Sequence, residues 1–195
     1  MAQKPLPKAV RPLFRLEPGY DKRGNSPWHW LEADVPQELY FAFFADRKLA
    51  PKWHPLTARL ARERKQGDFF RLSSLFAATS PAVEAIQGLL GNKVEVLPIQ
   101  VTRKLPPLFL LHPLEVVELS KKAIIDRFDD GRIMHVDKFV FSQRTVARSH
   151  FFSARGANGT YIVSEEFRAA IEEAGLKGLS FGQLRGYPTL GRTTG

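Results

Sequence analysis

From Phe69 onward the apolar positions recur regularly enough to lay out elements one after another. Phe69 to Leu72 reads as a strand leading into Leu75-Phe76-Ala77-Ala78-Thr79. Ser80 then predicts an N-cap with Pro81 at the first helical position; Val83, Ile86 and Leu90 give the buried stripe and Gly91 the stop. Lys93 to Val101 alternates as a strand with an edge or a bulge at Pro98, and Leu108 to Leu119 is strand-like but broken at Pro113. Ile124-Ile125, the turn Asp129-Asp130-Gly131, and Ile133 to Phe141 predict a hairpin. His150-Phe151-Phe152 and Tyr161-Ile162-Val163 flank a glycine-bearing loop. Ser164 caps a last helix with Glu165 and Glu166 in its positive first turn and Phe167, Ala170, Ile171 and Ala174 on its inner face. Gly175 ends that helix, and Leu179 to Leu184 forms a final strand.

Ahead of Phe69 the pattern is interrupted by Pro5, Pro7, Pro12, Pro18, Pro27 and Pro36. Residues 1–12 read as an arm, Leu13 to Leu16 as a candidate edge strand, and Trp28-His29-Trp30-Leu31 as a second strand. Leu39 to Phe44 fits a buried strand or a helix stripe equally well. Between Pro55 and Gly67, Leu56 and Leu60 share one face and Arg59, Arg62, Arg64 and Lys65 fall mostly elsewhere, which predicts a short basic amphipathic helix. The whole is a single α+β domain: a mixed or largely antiparallel sheet with helices packed on one side over residues 28–195, preceded by a proline-rich basic extension over 1–27.

Composition narrows the function. The 195 residues carry 29 Lys and Arg against 20 Asp and Glu, a net charge of +9, and 44% are apolar, so the charge sits on a folded body rather than a disordered tail. The first 65 residues hold 13 of the basic and 7 of the acidic groups, two-thirds of the excess. Cysteine is absent, which excludes disulfides, thiolate metal sites and a cysteine nucleophile. No signal-like or membrane-spanning apolar run occurs, and a cytoplasmic location is expected.

No catalytic constellation emerges, and the chain reads as a non-enzyme without cofactor or metal. His29, His54, His112, His135 and His150 show no zinc spacing. Asp126, Asp129 and Asp130 run into Gly131-Arg132, a turn rather than a calcium loop. Gly88 to Lys93 follows a helix, the reverse of a phosphate loop, and there is no G-x-S-x-G. One alternative is a nucleic-acid-binding module, in which Arg59, Arg62, Arg64 and Lys65 neutralise phosphates and Trp28, Trp30 and Trp53 stack on bases.

The chain from Phe69 to Leu184 resembles the immunity proteins of bacterial polymorphic toxin systems. The resemblance is carried by the closing module Tyr161-Ile162-Val163-Ser164, the amphipathic helix to Ala174, and Gly175-Leu176-Lys177-Gly178-Leu179-Ser180-Phe181. Ser80 to Pro98, a capped helix running into Val94-Glu95-Val96-Leu97-Pro98, and the segment Phe109 to Val117 add to it. It implies a cytoplasmic inhibitor that neutralises a cognate toxin by stoichiometric binding, through an interface on the order of 1,600 Å². A basic inhibitor points to an acidic contact surface on the toxin. Arg59, Arg62, Arg64 and Lys65, with Trp28 and Trp30, are the contact candidates, because Trp and Arg dominate binding hot spots.

Overall fold

Both faces of the Phe69–Thr79 segment are buried, which is why it reads as a nearly unbroken apolar run instead of an alternating one. The computed structural model describes residues 11–18, 29–60, 67–102, 106–157 and 159–184. In chain order the strands and helices are β1 (Leu13–Pro18), β2 (His29–Glu32), α1 (Gln37–Ala42), β3 (Leu56–Leu60), β4 (Phe69–Leu72), β5 (Leu75–Thr79), α2 (Ser80–Leu90), β6 (Val94–Val101) and β7 (Leu108–Pro113). There follow β8 (Val116–Val117), β9 (Ile124–Arg127), β10 (Ile133–Lys138), α3 (Gln143–Val146), β11 (Phe151–Ala154), β12 (Tyr161–Ser164), α4 (Glu165–Glu173) and β13 (Leu179–Gln183).

Six strands close into a barrel in the order β2-β3-β6-β7-β5-β4. Two of its ladders are parallel, β2 with β4 and β3 with β6, and the others antiparallel. Alternation along each strand sends Phe70, Leu72, Leu75, Ala77, Leu97, Ile99, Leu108 and Leu110 inward. Phe69, Phe76, Ala78, Val94 and Leu111 point outward into a second core.

That second core lies between the barrel and a five-stranded sheet of order β13-β1-β12-β11-β8. Phe14, Leu16, Phe151, Tyr161 and Val163 supply the sheet's side of it. The Phe151 ring stacks on Tyr161 at 5.5 Å and on Phe167 at 5.7 Å, and Tyr161 meets Phe76 of the barrel edge-on at 5.8 Å. α2 and α4 pack together over this core with Ala82, Ile86 and Leu90 on one and Phe167 and Ile171 on the other. The molecule is thus a single α+β domain with mixed sheets and helices on one face. The opposite face of the five-stranded sheet, with Leu13, Phe152 and Ile162, packs against the β9–β10 hairpin through Val136, Phe139 and Phe141.

Several local expectations are corrected. The predicted basic helix is a strand over 56–60: Ala58 is buried and Arg59 exposed, and β3 pairs with Ile99 to Val101 of β6 to close the barrel. Residues four apart share a face in a helix and in a strand alike, so Leu56 and Leu60 could not distinguish the two. Leu13 to Leu16 is no edge strand, because β1 pairs with β12 on one side and β13 on the other. Ser80 is the first helical residue; the cap position is Thr79, and no side chain makes a capping bond there. Ala174 is exposed, and Leu176 packs against the core in its place.

Other expectations hold. Of Leu39 to Phe44, which the sequence leaves open between strand and helix, Leu39 to Ala42 lie in helix α1 and Phe43 and Phe44 in the turn that follows it. Pro98 takes the edge alternative, since β6 meets β3 only from Ile99 onward. Ser164 does cap α4, its Oγ accepting from the Phe167 N–H at 3.2 Å.

Candidate partner-binding surface

Three polar or exposed features compete as functional sites. The first sits where β11, β12 and α4 meet. The Arg11 guanidinium donates to Glu166 Oε2 (2.7 Å), to His150 Nδ1 (2.9 Å) and to the carbonyls of Val146 (3.3 Å), Ala147 (3.0 Å) and Ser149 (3.1 Å). Ser164 Oγ lies 2.9 Å from the same His150 Nδ1, and Glu166 Oε2 lies 3.9 Å from it.

A serine, a histidine and a carboxylate are therefore adjacent, but they do not form a relay. Arg11, Ser164 and Glu166 all address one ring nitrogen of His150, Nδ1, whereas a general base must pass a proton between two. Ser164 is fully buried and its oxygen is taken by the helix cap. Burial, then the Arg11 charge, pushes His150 below its ordinary value. For Glu166, burial pushes upward, but hydrogen bonds from Arg11, its own backbone N–H and Ser164 outweigh it and bring the carboxyl down to about 2. The cluster is a clamp: it ties the residue before β1 to the α3–β11 connection and to α4. Ser149 Oγ donates to Glu115 at 2.7 Å, and Glu115 pairs with Lys93 at 3.3 Å, extending the clamp to the barrel strands.

The second feature lies at one mouth of the barrel. Glu95 and His112 face each other across the β6–β7 ladder, and His112 Nδ1 lies 2.9 Å from Glu95 Oε2. The same carboxylate accepts the Leu49 N–H (2.7 Å) and the Ala50 N–H (3.0 Å). Burial raises the Glu95 carboxyl, yet these donors together hold it below the usual range. His112 is fully buried and its Nε2 has no hydrogen-bond partner. The Phe43 ring covers it edge-on at 5.4 Å, and Trp53 covers Phe43 at 5.9 Å. Trp53 Nε1 donates to the Pro98 carbonyl at 3.0 Å. Trp53 is thus part of the barrel's closure. Among the described residues no three His, Asp or Glu side chains come together to hold a metal ion.

Of the contact candidates named from the sequence, Arg59 stands exposed on β3 and pairs with Glu32 at 2.8 Å. It lines a shallow cavity of about 320 Å³ with Glu32, Asp34, Thr57 and Thr102. Trp30 belongs to β2, of which the backbone alone is described at that position; Trp28, Arg62, Arg64 and Lys65 lie outside the described residues.

The third feature was missed in the sequence. Among the described residues, three of the four large apolar side chains left exposed are on the β9–β10 hairpin: Ile124 (54%), Phe128 (48%) and Met134 (55%). The signal was available, because a hairpin whose apolar residues alternate imperfectly must leave some of them outside. Ile125, Ile133 and Val136 face the sheet, and the rest have nowhere to go. Beside the hairpin runs a trough with two hollows of about 360 and 230 Å³, meeting at Arg15, His135, Val136 and Phe139. Its far wall is formed by Gly156, Ala157 and Thr160 at one end and by Gln183 and Leu184 at the other. The Arg132 guanidinium sits over the Phe128 ring at 5.5 Å.

The Arg11 clamp and the Glu95–His112 pair brace the fold, and the apolar hairpin faces outward beside an open trough. The model of the immunity protein family Imm11 matches residues 117–185, about a third of the chain. The matched segment runs from the end of β8 to just past β13, and includes the whole hairpin and both far walls of the trough. No curated protein matches the chain.

Proposed function

We propose that this protein is an immunity protein that neutralises a cognate bacterial toxin by stoichiometric complex formation in the cytoplasm. The observation that carries the reading is the Imm11 match over residues 117–185, the segment that builds the exposed hairpin. Inhibition by occlusion needs a rigid body with a complementary patch and no chemistry of its own, which accords with the clamp geometry of the Ser164–His150–Glu166 cluster.

The net charge of +9 supports a toxin with an acidic contact surface. Arg59, with Arg62, Arg64 and Lys65 and with Trp28 and Trp30 as flanking aromatics, is proposed as the steering part of the contact. Charged rims act mainly on association rate.

The test is co-expression with the toxin encoded beside this gene, followed by size-exclusion chromatography and growth. A 1:1 complex and restored growth are expected. Reversing Arg59, Arg62 and Arg64 together should slow association at low salt by about tenfold. A toxin that kills equally in the presence of this protein refutes the reading. Retention of DNA or RNA that falls steeply with salt, without toxin binding, selects the nucleic-acid-binding alternative instead.

A further inference from the structure

The toxin-binding reading leaves open how the hairpin would engage its partner, and the trough speaks to this. Ile133, Met134, His135, Val136 and Asp137 line it without a gap. Successive strand side chains point to opposite faces, so a depression against one face of β10 would be lined by alternate residues. The register shifts at Met134 and Asp137 break that alternation, and the trough follows the edge of β10 away from β9, which lends it no lining residue. β10 pairs with β9 alone, and no β9 residue lines the trough, so among the described residues that edge carries no strand.

The larger hollow has three titratable side chains in its lining, Arg15, Arg132 and His135, and no carboxylate. Arg15 uses Nε and Nη2 on Glu17, so Nη1 takes no part in that pair. Arg132 uses Nε on Asp130 at 2.6 Å. Asp137 is the one carboxylate lining the smaller hollow. We propose, on the basis of the toxin-binding reading, that the trough receives an extended acidic segment of the partner protein. This segment adds as a strand along the outer edge of β10, sets a carboxylate against Arg15, and lays an apolar side chain on Met134 and Phe128.

Register shifts between Ile133 and His135 and between Val136 and Lys138 interrupt regular pairing with β9. Such irregularities blunt an edge against indiscriminate strand pairing, so backbone hydrogen bonds alone do not admit a strand here and the arginines select it.

The experiment uses the full chain and a catalytically inactive form of the neighbouring toxin. Arg15→Glu and Met134→Asp are each expected to speed dissociation at least tenfold. Binding should also slow amide exchange across residues 133–139. Met134 is exposed, so its variant keeps the test decisive if Arg15→Glu fails to fold. A complex of unchanged lifetime with Met134→Asp, or one without protection at 133–139, overturns the strand addition while leaving the toxin-binding reading intact. Dimerisation of the protein alone that Met134→Asp abolishes assigns the edge to a second copy and also overturns it. Failure of the unaltered protein to bind the toxin overturns both.

Discussion

Glu95 organises the barrel mouth, and removing it exposes how that mouth is held. Glu95→Leu strips the acceptor from three donors: His112 Nδ1, the Leu49 N–H and the Ala50 N–H. The imidazole is fully buried and cannot turn to water, and a stranded buried polar group costs about 1–3 kcal/mol. The two amides are nearer the surface and recover part of their loss from solvent, adding about 1 kcal/mol between them. The expected cost is therefore about 3 kcal/mol, a large share of the roughly 5–15 kcal/mol that holds a domain folded.

His112→Leu should behave differently. It removes an Nε2 that has no partner, and Glu95 keeps both backbone donors, so the cost is about 1 kcal/mol. In the double variant no imidazole remains to be stranded, and the cost should fall below that of Glu95→Leu alone. Urea unfolding of the four proteins, followed by circular dichroism at constant m-value, measures the cycle. A double variant destabilised by the sum of the singles, about 4 kcal/mol, refutes the coupling through a stranded imidazole.

Two further perturbations test the framework. The clamp around Arg11 sets an acid limit. Glu166, held at about 2 against an ordinary 4.5, contributes stability that is present above pH 4.5 and lost as pH falls toward 2. His150, held below its ordinary 6.5, must stay uncharged, so its contribution is present above pH 6.5 and declines as pH falls below that value. The Glu166 side chain is about half exposed, and after solvent screening its share is of the order of 1 kcal/mol. Urea midpoints between pH 7 and pH 3 should fall in the natural protein and fall less in Arg11→Ala; parallel profiles would rule out the clamp as the cause. Gly178 has φ +110, and a Cβ there would lie 3.3 Å from the Phe69 carbonyl oxygen, whereas Gly175, at φ +64, faces open space. Thermal unfolding should therefore show Gly178→Ala costing about 2–3 kcal/mol and Gly175→Ala about 1 kcal/mol, and equal losses would contradict the close approach to β4.

Much of the second half of the fold was legible because its signals are local. Ser164 caps α4, Gly175 turns positive in φ to end it, and Gly131 turns the hairpin, each through its own backbone chemistry. What was not legible depends on distant partners. β3 is a strand because β6 completes the barrel beside it, and β1 is interior because strands about 150 residues later flank it. The clamp and the Glu95–His112 pair escaped because they join residues up to 155 positions apart and share no motif. Of the contact candidates chosen from charge and aromaticity, Arg59 emerged exposed. The trough emerged instead from residues that look unremarkable one at a time: an arginine in β1, a methionine in β10 and a glycine between β11 and β12.

The place of β1 also has a consequence for synthesis. All six barrel strands lie between residues 29 and 113, so all of them are synthesised before β12 and β13. β1 leaves the ribosome before any of them, yet its two neighbours, β12 and β13, are made only after all of them. Until then its apolar residues Leu13, Phe14 and Leu16 and its unpaired backbone must wait as an open edge. The growing chain is therefore exposed to wrong partners at β1, and closing the sheet around that strand is what ends the hazard.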